Sequence, residues 1–289
     1  MERIFITGAS GQLGIALHEL MSGQNRYQVC RTDAIRSEDG LVQAVDITDE
    51  AAVRNAVEAF RPDIIINCAA MTAVDLCETE QEKAYQINAL GPKYLALAAE
   101  RWGAKLVHIS TDYVYDGMKD KPYVETDETK PLSVYGKTKL EGELFVQKHC
   151  QRSFILRTAW MYGEGKNFVR TMLRLAEAGN PIRVVKDQFG SPTSAAELAK
   201  VVLFLMETDS YGIYHATCEG SASWYDFALA IFELAGKAVQ VTAIPSSEYK
   251  TPAKRPSYSV LENKALKERH SYDMKHWTDA IAEYMKSMK

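Results

Sequence analysis

Tyr135 and Lys139 stand four residues apart, a spacing that puts both side chains on one face of a helix. A free tyrosine has a pKa of ~10, so near neutrality it is a poor acid–base partner unless its phenolate is stabilised. An ammonium beside it supplies that stabilisation electrostatically. The same lysine is long enough to reach the ribose of a nicotinamide nucleotide, so one residue would serve both tuning and positioning. Alone, the spacing also fits any exposed helix start. It gains specificity from what precedes it, a glycine-rich turn and an apolar run ending in Ser110-Thr111.

The turn is Thr7-Gly8-Ala9-Ser10-Gly11-Gln12-Leu13-Gly14, placed between a short apolar strand and a helical stretch. Glycines there permit a tight strand-to-helix turn, close approach of the backbone to a pyrophosphate and close helix packing. The helix start adds free N–H groups and the positive end of its dipole. The spacing is Gly-x-x-Gly-x-x-Gly, not the general G-x-G-x-x-G fingerprint, so position in the first βα turn carries the argument. After the second strand comes Cys30-Arg31-Thr32-Asp33. An acidic residue here suits the ribose 2′-hydroxyl of NAD, whereas an arginine suits the 2′-phosphate of NADP. Arg31 and nearby Arg36 tip the expectation to NADP(H), with NAD(H) retained as the alternative. Late in the chain, Arg255 offers a guanidinium that can pair bidentately with a diphosphate, or simply with a surface carboxylate. Trp224-Tyr225-x-Phe227 reads as a buried helix face.

These residues need a scaffold. Apolar strand-like runs at Arg3–Thr7, Tyr27–Cys30, Ile64–Ile66 and Lys105–Ser110 alternate with helical patterns at 51–60, 83–101 and 138–149. That alternation predicts right-handed βαβ units: a doubly wound parallel sheet of the Rossmann type, with helices on both sides. Beyond about residue 157 the rhythm is mixed, with helices expected at 167–178, 195–206 and 223–235 and a strand at 182–185. The expected division is a dinucleotide-binding domain over residues 1–160 and a smaller C-terminal α/β lobe over 161–289 for the substrate. Segments around 182–215 are expected to return to the first domain.

The 289 residues carry a net charge of −4 and no basic block, which disfavours a nucleic-acid partner. No apolar run approaches the ~18 residues of a membrane span, so no membrane partner is expected. Five scattered cysteines form no CxxC pair and six histidines no ligand-like pairing, so neither a disulfide framework nor a metal site is expected. The chain reads as cytoplasmic.

Taken together, the glycine turn, Asn67-Cys68-Ala69-Ala70, Ser110-Thr111-Asp112-Tyr113-Val114-Tyr115 and Tyr135-x-x-x-Lys139 resemble the extended short-chain dehydrogenase/reductases. Further motifs run to residue 256. They are Ala73-Val74-Asp75, Arg157-Thr158-Ala159-Trp160-Met161-Tyr162-Gly163, Asp187-Gln188-Phe189-Gly190-Ser191-Pro192-Thr193 and Thr251-Pro252-Ala253-Lys254-Arg255-Pro256. Through them the chain resembles the dTDP-4-dehydrorhamnose reductase branch. The resemblance implies hydride transfer from NAD(P)H to the C4 ketone of a dTDP-sugar. Tyr135 would be the proton donor, Lys139 would hold the cofactor ribose, and Thr111 would hydrogen-bond the substrate oxygen. Asp112 would lie beside Thr111, Trp160 would wall the sugar pocket, and Arg255 would be a substrate contact. Gly8, Ser10, Gly11, Gln12, Leu13 and Gly14 would hold the pyrophosphate, with Arg31 near the ribose. Asp46 and Ile47 would contact the adenine, and Ala69, Ala70, Met71 and Thr72 would line the nicotinamide side.

Cys68 and Ala159 depart from the commoner alanine and serine, without removing chemistry. Some relatives use Mg²⁺ at a dimer interface, but no ligand cluster here points to it, and a homodimer is only the candidate assembly. A dehydratase is disfavoured because Tyr113, not a second carboxylate, follows Thr111-Asp112. Two readings stay open beside the reductase: an epimerase or other nucleotide-sugar reductase, and a non-catalytic NADP-binding subunit like that of methionine adenosyltransferase.

Overall fold

Ile64, Ile65 and Ile66 are all buried, as expected of a strand covered by helices on both faces. They belong to a seven-stranded parallel sheet in the computed structural model, which describes residues 1–179 and 181–288. Its first six strands are β1 (Glu2–Thr7), β2 (Tyr27–Asp33), β3 (Gln43–Ala44), β4 (Ile64–Asn67), β5 (Lys105–Thr111) and β6 (Ser153–Thr158). After these come β7 (Met161–Tyr162), β8 (Ile182–Val185), β9 (Phe189–Gly190) and β10 (Thr193–Ser194). The last three are β11 (Gly212–His215), β12 (Ala222–Ser223) and β13 (Val241–Ile244). The sheet order is β11-β6-β5-β4-β1-β2-β3. The order reverses between β1 and β4, so a crevice opens beyond the carboxyl ends of those strands.

The helices are α1 (Gln12–Met21), α2 (Glu50–Phe60), α3 (Val74–Thr79), α4 (Gln81–Tyr85), α5 (Gly91–Trp102) and α6 (Val134–His149). They continue with α7 (Phe168–Glu177), α8 (Ala195–Met206), α9 (Trp224–Leu234), α10 (Lys264–His270) and α11 (Trp277–Ser287). One face of the sheet packs Ile4, Ile6, Ile64 and Ile66 against α1 and α8. The other packs Phe5, Ile65 and Leu106 against α2, α5 and α6. A third core joins α7, α9, α11 and β8 around Phe227 and Ile231.

Two expectations are corrected. The return to the sheet does not begin at residue 182. β8 pairs in parallel with β13, because Ile182 and Val184 turn inward to the third core. α8 packs on α1 and β11 pairs with β6, so those later segments lie with the main sheet. The long helix expected over 83–101 is divided: α4 runs through a π-helical turn at Gln86–Leu90 into α5.

Candidate active site

The crevice is built first by the glycine turn. Gly8 has a left-handed backbone, φ +65°, and a Cβ there would lie 2.6 Å from the Ala69 nitrogen. The turn can therefore press against the segment after β4 only with glycine at that position. Gly14 answers a different need, since a Cβ on it would lie 2.6 Å from Ala9 Cα; it sets helix packing and does not line the crevice. Gly11 is the N-cap of α1 and brings no side-chain cap, so the first N–H groups of the helix stay available to an anion. From β2 the groove wall takes Asp33, whose Oδ2 accepts from the Ser10 amide at 3.1 Å. Arg31 lies elsewhere on that strand, acting on His18 and Asp39, and its buried Nε has no partner. The groove, about 860 Å³, is lined also by Asp46, Ile47, Ala69 and Ala70.

The segment after β4 is held from below by a polar relay across three strands. Thr7 Oγ1 donates to Asn67 Oδ1 at 2.7 Å, and Asn67 Nδ2 lies 3.0 Å from His108 Nδ1. The π-helical turn adds Asn88, which accepts from the Met71 amide at 2.8 Å and donates to the Met71 carbonyl at 3.1 Å. Met71 itself is buried in a small core with Cys77 and Tyr135, away from the groove surface.

At the end of β5 the chain turns through Asp112–Val114, and α6 lies directly over that turn. Ser133 caps α6, accepting from the Gly136 amide at 3.1 Å. A Cβ on Gly136 would collide with the Tyr113 carbonyl oxygen, so glycine lets the helix approach. The helix begins at Val134, a turn earlier than its apolar pattern indicates, and this brings Tyr135 and Lys139 onto the cleft side. Tyr135, Lys139, Thr111, Asp112 and Trp160 line one cavity of about 530 Å³ with Ser10, Gln12, Leu13 and Thr72. That cavity shares Gly8, Gly11, Cys68 and Ala70 with the groove, so the two are continuous.

Burial dominates the electrostatics here. It pushes the Tyr135 phenol well above its ordinary value, with the Thr111 hydroxyl pulling the other way. Desolvation brings Lys139 down to about 8, against the raising effect of Glu143. Its Nζ donates to the Ile109 carbonyl at 2.6 Å. Burial lifts Asp112 to about 6; its Oδ1 accepts from Thr111 Oγ1 at 3.0 Å and its Oδ2 has no partner. A protonated phenol, an ammonium and a hydroxyl thus converge where a carbonyl oxygen could be held and protonated.

A second lobe covers this cavity. Trp160 adopts φ +45° and stacks flat on Trp224, with ring centroids 3.4 Å apart and planes 5° from parallel. Gly190 leaves room for the Trp160 ring, which a Cβ would strike. Trp224 also lines a neighbouring cavity of about 390 Å³ with Phe168, Met172, Val184, Gln188, Tyr249 and Arg255. Arg255 is paired there with Asp75 of α3, at 2.8 and 3.1 Å.

The sequence profile of the RmlD substrate binding domain family matches residues 1–289. A dTDP-4-dehydrorhamnose reductase of Aggregatibacter actinomycetemcomitans is 42% identical over 97% of each chain. The chain belongs to the dTDP-4-dehydrorhamnose reductase family. Two solved structures of the family superpose closely. The Clostridium acetobutylicum reductase is 47% identical, with a TM-score of 0.94 over 99% of both chains. The Bacillus anthracis reductase, solved in complex with NADP, is 39% identical, with a TM-score of 0.93 over 99% of both chains.

Within this family framework, the structure places Gly8, Ser10, Gly11, Gln12, Leu13, Asp46, Ile47, Ala69, Ala70, Thr72, Thr111, Asp112, Tyr135, Lys139 and Trp160 on the continuous cleft. Gly14, Met71 and Arg31 are not on its lining, and Arg255 lies in the adjoining cavity. Trp224, read from sequence as helix face, is in fact part of both cavity walls. Asn88 escaped notice too, and Asn67 was read only as part of a motif, without its buried role. Thr7 and His108 for Asn67, and Met71 for Asn88, are partners far along the chain, though a buried asparagine between apolar neighbours is a usable signal. Among the described residues, no group of three or more His, Cys, Asp or Glu is arranged to hold a metal, and no helix is long and apolar enough to cross a membrane.

Proposed function

We propose that this chain reduces the C4 ketone of dTDP-4-dehydro-L-rhamnose to dTDP-L-rhamnose, with NADP(H) as the preferred cofactor. The observation that carries the reading is the convergence of Thr111, Tyr135 and Lys139 on a cavity continuous with the glycine-lined groove. The residues present fit a dinucleotide: Gly8 and Gly11 form a cradle that a side chain would fill, and the uncapped start of α1 faces it. When bound, the nicotinamide supplies the hydride. Support for the phosphorylated form comes from the NADP complex of the Bacillus anthracis relative.

The chain's own residues then divide the work. Thr111, its hydroxyl turned from Asp112 Oδ1 on binding, donates to the ketone oxygen, and Tyr135, protonated in its buried site, delivers the proton as negative charge develops there. Lys139 holds the cofactor ribose and draws the phenol towards ionisation. Trp160 and Trp224 wall the sugar and exclude water. The adjoining apolar cavity suits a thymine base, and Arg255 at its edge suits the diphosphate.

The test is NADPH consumption with dTDP-4-dehydro-L-rhamnose, run beside NADH and beside Tyr135→Phe. Turnover with NADPH is expected to exceed that with NADH. The Phe variant should lose about 10²–10⁴-fold in kcat with NADPH affinity nearly intact. Tight NADPH binding without oxidation in the native protein would favour the non-catalytic binding subunit. Near-normal turnover by the Phe variant would remove Tyr135 from its role.

A further inference from the structure

Below the cleft, three consecutive residues of β5 meet three successive turns of α6. Thr111 shares the cavity wall with Tyr135, the Ile109 carbonyl takes the Lys139 ammonium, and the Ser110 hydroxyl donates to Glu143. Glu143 is 1% exposed and carries a charge that the proposed reaction does not use. Arg157 of β6, 3% exposed, holds both of its oxygens: Nη2 lies 2.6 Å from Oε2, and Nε lies 3.0 Å from Oε1 and 3.2 Å from Oε2. The guanidinium also donates from Nη1 to the Tyr115 hydroxyl at 2.7 Å. An ion pair this deep costs desolvation and is not the cheapest way to fill a core. Its position, one turn beyond Lys139 on the same helix face, gives it a use.

We propose that Glu143 and Arg157 are positioning residues for Lys139: with Ser110 they pin α6 to the end of β5, and Glu143 supplies the buried counter-charge of the Lys139 ammonium. The proposal rests on the reading of Lys139 as the cofactor-ribose ligand. The groups facing Lys139 are few. Tyr135 and Glu143 come from its own helix, Cys68 from the segment after β4, and His108 from β5, with Arg157 of β6 behind Glu143. His108 is held neutral by burial, and burial likewise keeps the Cys68 thiol protonated, raised to about 12. Glu143 is therefore the one anion in that set at neutral pH.

The test is NADPH affinity, followed by fluorescence titration from pH 6 to 9.5, in native protein, Glu143→Gln, Glu143→Asp and the double variant Glu143→Gln/Arg157→Met. Binding through the ammonium should weaken as pH rises through about 8, the value at which Lys139 loses its proton. Without Glu143, and with Arg157 left uncompensated, that loss should begin about one pH unit lower, giving roughly tenfold weaker binding at pH 9. The double variant, which leaves no unpaired buried charge, should show a smaller shift in the same direction. Glu143→Asp should keep the limb near its native position while turnover falls. A limb that stays put in both Gln variants, with only thermal stability reduced, overturns the proposal. If Glu143→Gln does not fold, the double variant decides alone. A native protein that binds NADPH with the expected limb but does not reduce the ketosugar would sink the reductase reading and leave this inference standing. A native protein that fails to bind NADPH sinks both.

Discussion

Tyr135 is held as a protonated phenol by burial, while Asp112, also buried, is lifted only to about 6. The two groups therefore differ in what they contribute to folding. Asp112 takes up its proton more readily in the folded chain than in the unfolded one, where its ordinary value is 3.8. The stability it contributes is thus fully present below about pH 4 and lost as pH rises through about 6. Above that, the buried carboxylate, with Oδ2 unpartnered, costs on the order of 1–3 kcal/mol. Asp112→Asn is expected to raise the Tm at pH 8 and to show no gain at pH 4, while weakening ketosugar turnover. Equal Tm differences at both pH values would mean that Asp112 does not titrate as its surroundings dictate. Tyr135 and Lys139 were legible in sequence because one helix sets their distance. Glu143 lies in the same helix but reads as one surface charge among several until Arg157, fourteen residues on, is seen against it. Trp224 was hidden for another reason: the first residue of a capped amphipathic helix has the same pattern whether it faces core or cleft.

Among the elements, α6 carries the largest share of the site and is fitted most closely to its neighbours. Gly136 admits the Tyr113 carbonyl and Gly142 admits the Asn88 carbonyl of the π-helical turn, each at a place where a Cβ would collide. A π-helical turn separates α4 from α5 without a proline or glycine among its five residues, so hydrophobic spacing alone reads through it. Its geometry aims Asn88 at Met71, and Gly142 lets α6 close over that contact. Gly142→Ala is expected to push α6 off the turn. It should destabilise the protein by about 1–3 kcal/mol, lower NADPH affinity, and do both by misplacing Lys139. Differential scanning fluorimetry with a parallel NADPH titration reads both effects; an unchanged affinity would show that the helix gives way elsewhere. The βαβ alternation was readable because a parallel sheet demands continuous apolar strands. β8 was harder, since Ile-Arg-Val-Val satisfies a small two-stranded pairing as well as a large sheet.

Across the whole molecule, the Arg255–Asp75 pair joins a late loop of the chain to α3, spanning 180 residues of sequence. Arg255 is about a fifth exposed and Asp75 two-fifths, so the pair is screened and open to exchange. In the proposed complex the substrate diphosphate takes over the guanidinium with little loss to the fold. Arg255→Ala is expected to raise KM for the dTDP-sugar by about ten- to a hundredfold, with NADPH affinity unchanged. A rise in NADPH dissociation of the same size would place Arg255 in the cofactor groove instead. The parallel edge formed by β11 on β6 has a consequence for biosynthesis. During translation the first six strands emerge well before residue 212, and α8, which packs on α1, is still to come. The nascent sheet therefore has β6 as a bare hydrogen-bonding edge and one apolar face covered by α1 alone. A ribosome that stalls after residue 160 would display a sticky, incomplete half, and the chain becomes safe from aggregation only when its second half has been made.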